Sequence, residues 1–293
     1  MDLSVIIISY NTANLTVDCL NSLTFFLNKE KKLKSEIIIV DNFSSDGSVE
    51  NIREFLKKSQ IPIHFIENKK NVGYGAANNQ GVKKSKGEFI LLLNSDTLIE
   101  NISFTTLLEY MKQNSKIGTL TVKVRFPHGE IDPASHRGFP TIWRSFCFFS
   151  RLEKISTSTL LSRIFGGYHL TWCDLSKIHE IDCPSGAFFL IPKIIYEKVK
   201  GFDEKFFMYG EDLDLAFRIK QLGYKVVYYP KYTILHLKHQ SGLKATEEIR
   251  KKTKYHFYDA MKIFYHKHYA KNYPKFFNSF IYSVIDFKAK SSL

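Results

Sequence analysis

Short apolar runs at Leu3 to Ser9, Glu36 to Val40, Ile63 to Ile66 and Phe89 to Leu93 alternate with stretches whose apolar residues return every three or four positions. Unbroken runs of this length read as strands buried on both faces, and the three-to-four spacing reads as amphipathic helix. Val17, Leu20 and Leu23 define one such helix, with Asn14 or Thr16 as its expected cap. Val49, Ile52, Phe55 and Leu56 define a second. Strand and helix in alternation predict an α/β domain with a mostly parallel central sheet flanked by helices. Such sheets bind ligands just beyond the carboxyl ends of their strands. Polar residues stand at each of those ends: Ser9, Tyr10 and Asn11; then Asp41 to Asp46; then the loop Asn71 to Asn78; then Asn94, Ser95 and Asp96.

From about 123 to 180 the pattern becomes irregular and aromatic, with Trp143, Phe146, Phe148, Phe149 and Trp172 among several prolines and glycines. Order returns at Ile181 to Ile191. Three acids, Glu211, Asp212 and Asp214, then crowd the start of a helix-like stretch. Gly223 to Tyr229 reads as a last strand ending at Pro230, with His236 soon after it. Residues 244–293 carry 11 Lys and Arg against 4 Asp and Glu, with aromatics at helical spacing, and read as a basic amphipathic helical tail. The expected division is a main α/β domain over 1–243, with halves 1–122 and 123–243, followed by that tail.

The 42 basic against 29 acidic residues give a net charge of +13, which points to a polyanionic partner without choosing among phosphate, nucleic acid and anionic membrane. No nucleic-acid recognition motif is present, and nucleic acid is not the expected partner. Cys19, Cys147, Cys173 and Cys183 form no CxxC pair, so neither a zinc site nor a disulfide framework is indicated. With no basic leader ahead of an apolar stretch and no span-length apolar run, the expected location is cytoplasmic, peripheral on the inner face of the membrane if the tail lies on it.

Each candidate site residue has a bland reading beside the chemical one. Asp41, at a strand end, can accept hydrogen bonds from a nucleobase imide or from ribose hydroxyls. Asp46 is better read as a helix cap. The Asn71–Asn78 loop, with Gly73 and Gly75, reads equally as a phosphate cradle and as an ordinary helix entry, because it has neither the Walker Lys nor GxGxxG spacing. Asp96 suits a hard cation that arrives with phosphate, or caps the helix through Leu107 and Leu108. His236 is a third ligand, a phosphate contact or a structural histidine. The 211–214 acids open a helix, where negative charge is favoured. The preceding Phe206, Phe207 and Tyr209 suggest instead a semi-buried carboxylate of raised basicity, suited to general-base work.

Several ordered strings together resemble family 2 glycosyltransferases of the GT-A fold. They are Ser4 to Asn11, Val40-Asp41-Asn42 with Ser44 to Ser48, the Asn71 to Gly81 loop, Leu93-Asn94-Ser95-Asp96-Thr97, and Gly201 to Asp212. Phe126 to Ile131, Phe139-Pro140-Thr141 and Lys267-His268-Tyr269 are similar to the bacterial rhamnosyltransferase branch. The resemblance covers roughly residues 3 to 270. It implies inverting transfer of a sugar, rhamnose favoured, from a nucleoside diphosphate donor such as dTDP-rhamnose; a UDP-hexose or GDP-sugar is the alternative. The acceptor is expected to be a glycan, lipid-linked, in cell-surface polysaccharide synthesis.

Carried over by position, Asp212 is the expected catalytic base. Ser9, Tyr10, Asn11, Asp41, Asn71, Gly75, Asn78, Asn94, Ser95 and Asp96 are expected on the donor. Asp182, Ser185, Gly186 and Glu211 are expected on the acceptor, beside the aromatic region from Phe139 to Trp172. Asp96 and His236 are expected on Mg2+ or Mn2+. Asn94 stands where the family often has a first aspartate, which weakens metal affinity in the absence of the diphosphate. The tail has two expected uses, an anionic membrane surface or packing against the domain or a second subunit as a homodimer. A nucleotidyltransferase would be expected to open on a glycine-rich basic signature rather than Ser9-Tyr10-Asn11. A noncatalytic carbohydrate-binding or scaffold protein would be free to discard Asp212.

Overall fold

The computed structural model describes residues 1–155, 158–237 and 247–291. The boundary expected at 243/244 lies outside these residues. In chain order the strands and α-helices are β1 (Leu3–Ser9), α1 (Ala13–Lys29), β2 (Ser35–Asp41), α2 (Ser48–Leu56), β3 (Ile63–Glu67), α3 (Tyr74–Lys84), β4 (Phe89–Asn94), β5 (Thr97–Asn101), α4 (Phe104–Gln113) and β6 (Ile117–Arg125). There follow α5 (Ile142–Phe149), α6 (Thr159–Phe165), β7 (His179–Ile181), β8 (Phe188–Pro192), α7 (Lys193–Lys198), α8 (Glu211–Gln221), β9 (Lys225–His236), α9 (Glu247–His268) and α10 (Lys275–Ser291).

Among the described residues the nine strands form one sheet in the order β3-β2-β1-β4-β8-β6-β9-β5, with β7 on β9. The expected central sheet flanked by helices is present. Its parallel pairings join β1 to β2 and β4, β2 to β3, and β6 to β9; the β8, β5 and β7 pairings are antiparallel, so only the N-terminal side is purely parallel. β1 is buried throughout and feeds two layers. Val5 and Ile7 pack with Leu20 and Leu23 of α1, and Ile6 and Ile8 pack with Ala77 and Val82 of α3. This is the physical basis of the unbroken apolar runs, since period-two side chains meet helices on both faces.

Two boundaries differ from expectation. α1 opens at Thr12, whose side chain makes no cap bond; Asp46 Oδ2 accepts from the Ala13 amide at 3.0 Å, and Oδ1 of Asp46 accepts from the Ser48 amide at 3.1 Å. Asp46 thus caps two helices, and neither Asn14 nor Thr16 caps the first. β9 does not end at Pro230. The register jumps from Val122↔Tyr229 to Lys123↔Thr233, which bulges Pro230 to Tyr232 out of the ladder, where a missing amide costs nothing. The strand then continues to His236, paired with Thr97, which brings His236 beside Asp96.

A third core cluster joins Phe206, Leu213 and Ala216 to Ala260 and Phe264 of α9. Charge fixes the same junction. Asp214 is fully buried and accepts from His268 Nε2 at 2.8 Å, with Lys267 at 2.7 Å and Arg218 at 2.7 Å. Burial alone would raise its pKa, but His268, Arg218 and Lys267 outweigh that and lower it to about 2. The member of the acidic cluster at 214 is therefore a structural clamp, not a group free for chemistry. Asp214→Ala is expected to destabilise the fold by about 3 kcal/mol or more, because it strands buried cations. A carboxylate with a depressed pKa stabilises above its unfolded value of 3.8, and the contribution fades as pH falls through about 2. Thermal unfolding of the variant should accordingly depend less on pH than wild type between about 4 and 2.

Candidate functional site

The strand register builds the site. Ser9 pairs with Asp41 and Ile8 with Asn94, so the ends of β1, β2 and β4 lie in one row; Leu93 pairs with Phe188, which brings the segment before β8 beside Asn94. The chain turns from β1 toward β2 on one side and β4 on the other, the topological switch where open α/β sheets bind ligands. Asn11, in a left-handed conformation at φ 53°, ties the first two ends together: its amide donates to Ser44 Oγ at 2.9 Å and its Oδ1 accepts from the Ser45 amide at 2.8 Å. Ser9 is buried and Tyr10 stands exposed beside it.

Asp41 is buried. One oxygen accepts from the Phe43 and Ser44 amides at 3.1 and 2.9 Å, while Oδ2 is buried with no partner. An unpaired buried carboxylate oxygen is costly unless something else supplies a donor. The Asn71–Asn78 loop offers less than its sequence suggests. The amides of Val72, Gly73 and Tyr74 already donate to Asn42 Oδ1, Asn71 Oδ1 and the Phe207 carbonyl, at 3.0, 2.9 and 3.0 Å. Gly73 has φ 89°, and a Cβ there would stand 2.7 Å from that carbonyl, so the glycine serves loop packing. Gly75 lies against Phe202, Asn71 also accepts from Asn42, and buried Asn78 donates to the Tyr74 carbonyl. Three of the loop's amides are thus taken by the protein itself, while Asn78 Oδ1 is buried without a partner.

Tyr74 joins the two halves of the site. Its hydroxyl donates to Asn94 Oδ1 at 2.9 Å and lies 3.4 Å from the Gly186 carbonyl oxygen. Burial pushes its pKa up, and the charges of Glu211, Asp212 and Asp96 push the same way. One buried hydroxyl thus lies within the fields of the strand-end acid and of the acids more than a hundred residues away. A Cβ at Gly186 would stand 2.8 Å from this hydroxyl, which explains glycine there. Ser95 Oγ lies 3.2 Å from Thr12 Oγ1. Asp96 lies at the β4–β5 turn, ahead of a strand, so it does not cap the helix through Leu107; Ser103 does. Its Oδ1 is 3.3 Å from His236 Nε2, and His236 Nδ1 is 2.9 Å from buried Asp132. Burial opposes a charge on His236, but the two carboxylates prevail and raise its pKa to about 9.

Tyr209 and Gly210, at φ 68° and 75°, turn the chain sharply into the first turn of α8, where Glu211 and Asp212 are buried. Asp212 Oδ1 accepts from the Leu213 amide, and Oδ2 accepts from Arg137 at 2.5 Å. Arg137 is held by backbone pairing with Cys183, and its Nε is buried without a partner. Burial works against its charge, and the Asp212 carboxylate more than compensates. Ser185 Oγ and Glu211 Oε2 are likewise buried and unpartnered. Asp182 is otherwise employed. Its carboxylate accepts from Arg144 at 2.7 Å, Lys220 at 2.9 Å and the Phe139 amide at 3.0 Å, fastening the 137–144 segment.

Sequence reasoning missed Arg137, Tyr74 and Asp132. The role of Arg137 depends on a pairing 46 residues away, which leaves no local periodicity to read. Among the described residues no set of three or more His, Cys, Asp or Glu side chains converges on a metal position. Asp96 offers a hard oxygen donor at the row of strand ends, which fits a cation completed by phosphate oxygens better than a self-sufficient cage.

The family model Glycosyl transferase family 2 matches residues 4–170, and Glycosyl transferase family group 2 matches residues 89–285. The chain belongs to glycosyltransferase family 2. The poly-beta-1,6-N-acetyl-D-glucosamine synthase of Staphylococcus epidermidis is 25% identical over 229 residues, which cover 78% of this chain and 48% of that protein. The chain spans about half the length of the curated relatives it matches. The mannosyltransferase PcManGT of Pyrobaculum calidifontis, solved with GDP-Man and Mn2+, has a TM-score of 0.57 at 18% identity, covering 88% of this chain and 62% of that one. Staphylococcus aureus TarS 1-349 with UDP-GlcNAc has a TM-score of 0.54 at 18% identity, covering 90% and 65%. These likenesses establish the GT-A glycosyltransferase fold.

Glu211 yields a test of the buried acid pair. Burial first, then the Asp212 charge, raises its pKa from 4.5 to about 8. The folded chain therefore holds a proton that the unfolded chain has lost, so this contribution to stability is largest below about 4.5 and declines as pH rises to about 8. Glu211→Gln should remove the decline, and its melting temperature should gain on wild type between pH 5 and 8. Parallel profiles would contradict the buried, protonated acid.

Proposed function

We propose that this chain is an inverting glycosyltransferase that moves a sugar from a nucleoside diphosphate donor to an acceptor hydroxyl, with Asp212 as the base. The observation that carries the reading is the Tyr74 hydroxyl, bonded to Asn94 and within the fields of Asp96, Glu211 and Asp212. The charges of both acidic groups act on this one hydroxyl, which supports a displacement with its leaving side at Asp96 and its entering side at Asp212.

On the donor side, the free Oδ2 of Asp41 takes a hydrogen bond from the base or ribose, beside Ser9 and the open face of Tyr10. Asn94, Ser95 and Asp96 border the diphosphate. Asp96 would hold Mg2+ or Mn2+ with diphosphate oxygens, and the cation would offset the negative charge that develops on the leaving group. His236 sits close enough to Asp96 to share it or to yield to the cation. On the acceptor side, the unpartnered Ser185 Oγ and Glu211 Oε2 are free to orient hydroxyls. Asp212, paired with Arg137, accepts the acceptor's proton; the acceptor oxygen bonds the anomeric carbon as its bond to the diphosphate breaks, and the electron pair leaves on phosphate. One in-line displacement inverts that centre, and positioning supplies much of the acceleration.

The sequence strings favour dTDP-rhamnose as donor. The named relatives turn attention equally to UDP-GlcNAc and GDP-mannose. Polysaccharide synthesis fits the name of the Staphylococcus epidermidis relative, and a lipid-linked glycan acceptor fits the basic tail. Among the described residues no helix is long and apolar enough to cross a membrane. α10 instead exposes Phe276, Phe280 and Phe287 near lysines, a surface suited to lying on an anionic leaflet.

A thermal-shift screen of dTDP-rhamnose, UDP-GlcNAc and GDP-mannose with and without Mn2+ tests the donor side; stabilisation by one donor, enhanced by Mn2+, is expected. With that donor, Asp212→Asn should lose about a hundredfold or more in turnover while keeping donor affinity. Near-normal turnover in the variant would refute the assignment.

A further inference from the structure

A cavity of about 590 Å³ opens behind the buried acids, between α5, α9 and α10. Arg137, Glu211 and Asp212 form its polar end; beyond them the lining is overwhelmingly apolar, including Phe148, Met261, Phe264, Ile281 and Val284. The volume falls in the range of small-molecule sites. The helices that wall it are fastened by polar ties elsewhere: α9 by Asp214, and α10 to α9 by Tyr265 with Asn278 at 2.6 Å and His266 with Tyr282 at 3.0 Å. The space is therefore framed rather than left by loose packing.

The chemistry of the lining selects the occupant. A glycan chain would leave hydroxyls unpaired against aliphatic and aromatic walls, which is unfavourable. A hydrocarbon chain needs no partners and enters a space that water does not fill well. The lining reaches the surface at Phe280 and Val284, both exposed, and continues onto the outer apolar face of α10 at Phe287. Lys288 lines the same end, so a chain entering from a lipid surface passes one ammonium group on its way to the apolar walls. At the inner end Leu213 and Ala260 adjoin the acids, so apolar wall begins immediately beyond Asp212.

We infer that the acceptor is a lipid glycoside or lipid alcohol whose hydrocarbon chain lies in the cavity between α5, α9 and α10, with its reactive hydroxyl presented to Asp212. The inference rests on the reading of Asp212 as the base and deepens it. Because wall and base are adjacent, the hydroxyl that reacts lies within about one sugar of the hydrocarbon, and the enzyme acts near the lipid end of a glycan rather than at the tip of a long one.

The full chain is titrated, below micelle-forming concentrations, with octyl, decyl and dodecyl β-glucosides and with glucose, following displacement of the fluorophore N-phenyl-1-naphthylamine. Affinity is expected to rise roughly three- to fourfold per added methylene until the cavity is full, with no displacement by glucose. Met261→Trp and Ile281→Trp fill the space from α9 and α10; each should weaken dodecyl glucoside at least tenfold, and the variant that keeps the wild-type melting temperature is the one that counts. Affinity independent of chain length, or unchanged in the folded filling variant, overturns the inference. Equal transfer to glucose and to dodecyl glucoside overturns it too, while leaving sugar transfer by Asp212 intact. Chain-length-dependent binding with no nucleoside diphosphate released from any donor supports the cavity and sinks the base assignment instead.

Discussion

Strand register is the constraint on which the rest of this molecule depends. β1, β2 and β4 are buried on both faces, and a slip of one residue would exchange every side chain between the two helical layers. That penalty fixes Ser9 beside Asp41 and Ile8 beside Asn94. The antiparallel β8 then delivers Ser185 and Gly186 to the same edge. No loop has to be trusted to bring these groups together, because core packing does so.

The buried and half-buried polar groups named above are satisfied unevenly. Asp182, Asp214 and Asp46 have their oxygens filled by backbone and cations, and they hold segments in place. Asp41, Ser185, Glu211 and Arg137 each keep a buried polar atom with no partner. Buried polar groups are normally satisfied, so each of these atoms is a position where a polar ligand could supply the missing partner. A polar ligand that fills them would turn the desolvation already suffered into binding.

The strands and their layering were legible in the sequence because burial on both faces leaves unbroken apolar runs. The strand-end acids Asp41 and Asp96 were legible for the same reason. Local signals failed where tertiary pairing decides. Pro230 reads as a stop, yet a bulge absorbs it and carries His236 to Asp96. The glycines at 73 and 75 read equally as a phosphate cradle and as a helix entry, and their close approach to Phe207 and Phe202 gives each a packing reason that no local pattern displays. Asp214 and Asp212 look alike two residues apart on one helix, and only α9 and Arg137 distinguish them. Arg137 itself sits in an irregular stretch with no pattern to reveal it.

The account stands on Asp96 and Asp212 opening onto one cleft around Tyr74. Anomalous diffraction from crystals grown with Mn2+ and the nucleoside diphosphate sugar that stabilises the fold tests this most directly. The account predicts a manganese peak in coordination distance of Asp96, with the sugar's anomeric carbon between the metal and the Asp212 carboxylate. A metal or donor bound elsewhere, or an anomeric carbon separated from Asp212 by protein, would contradict it.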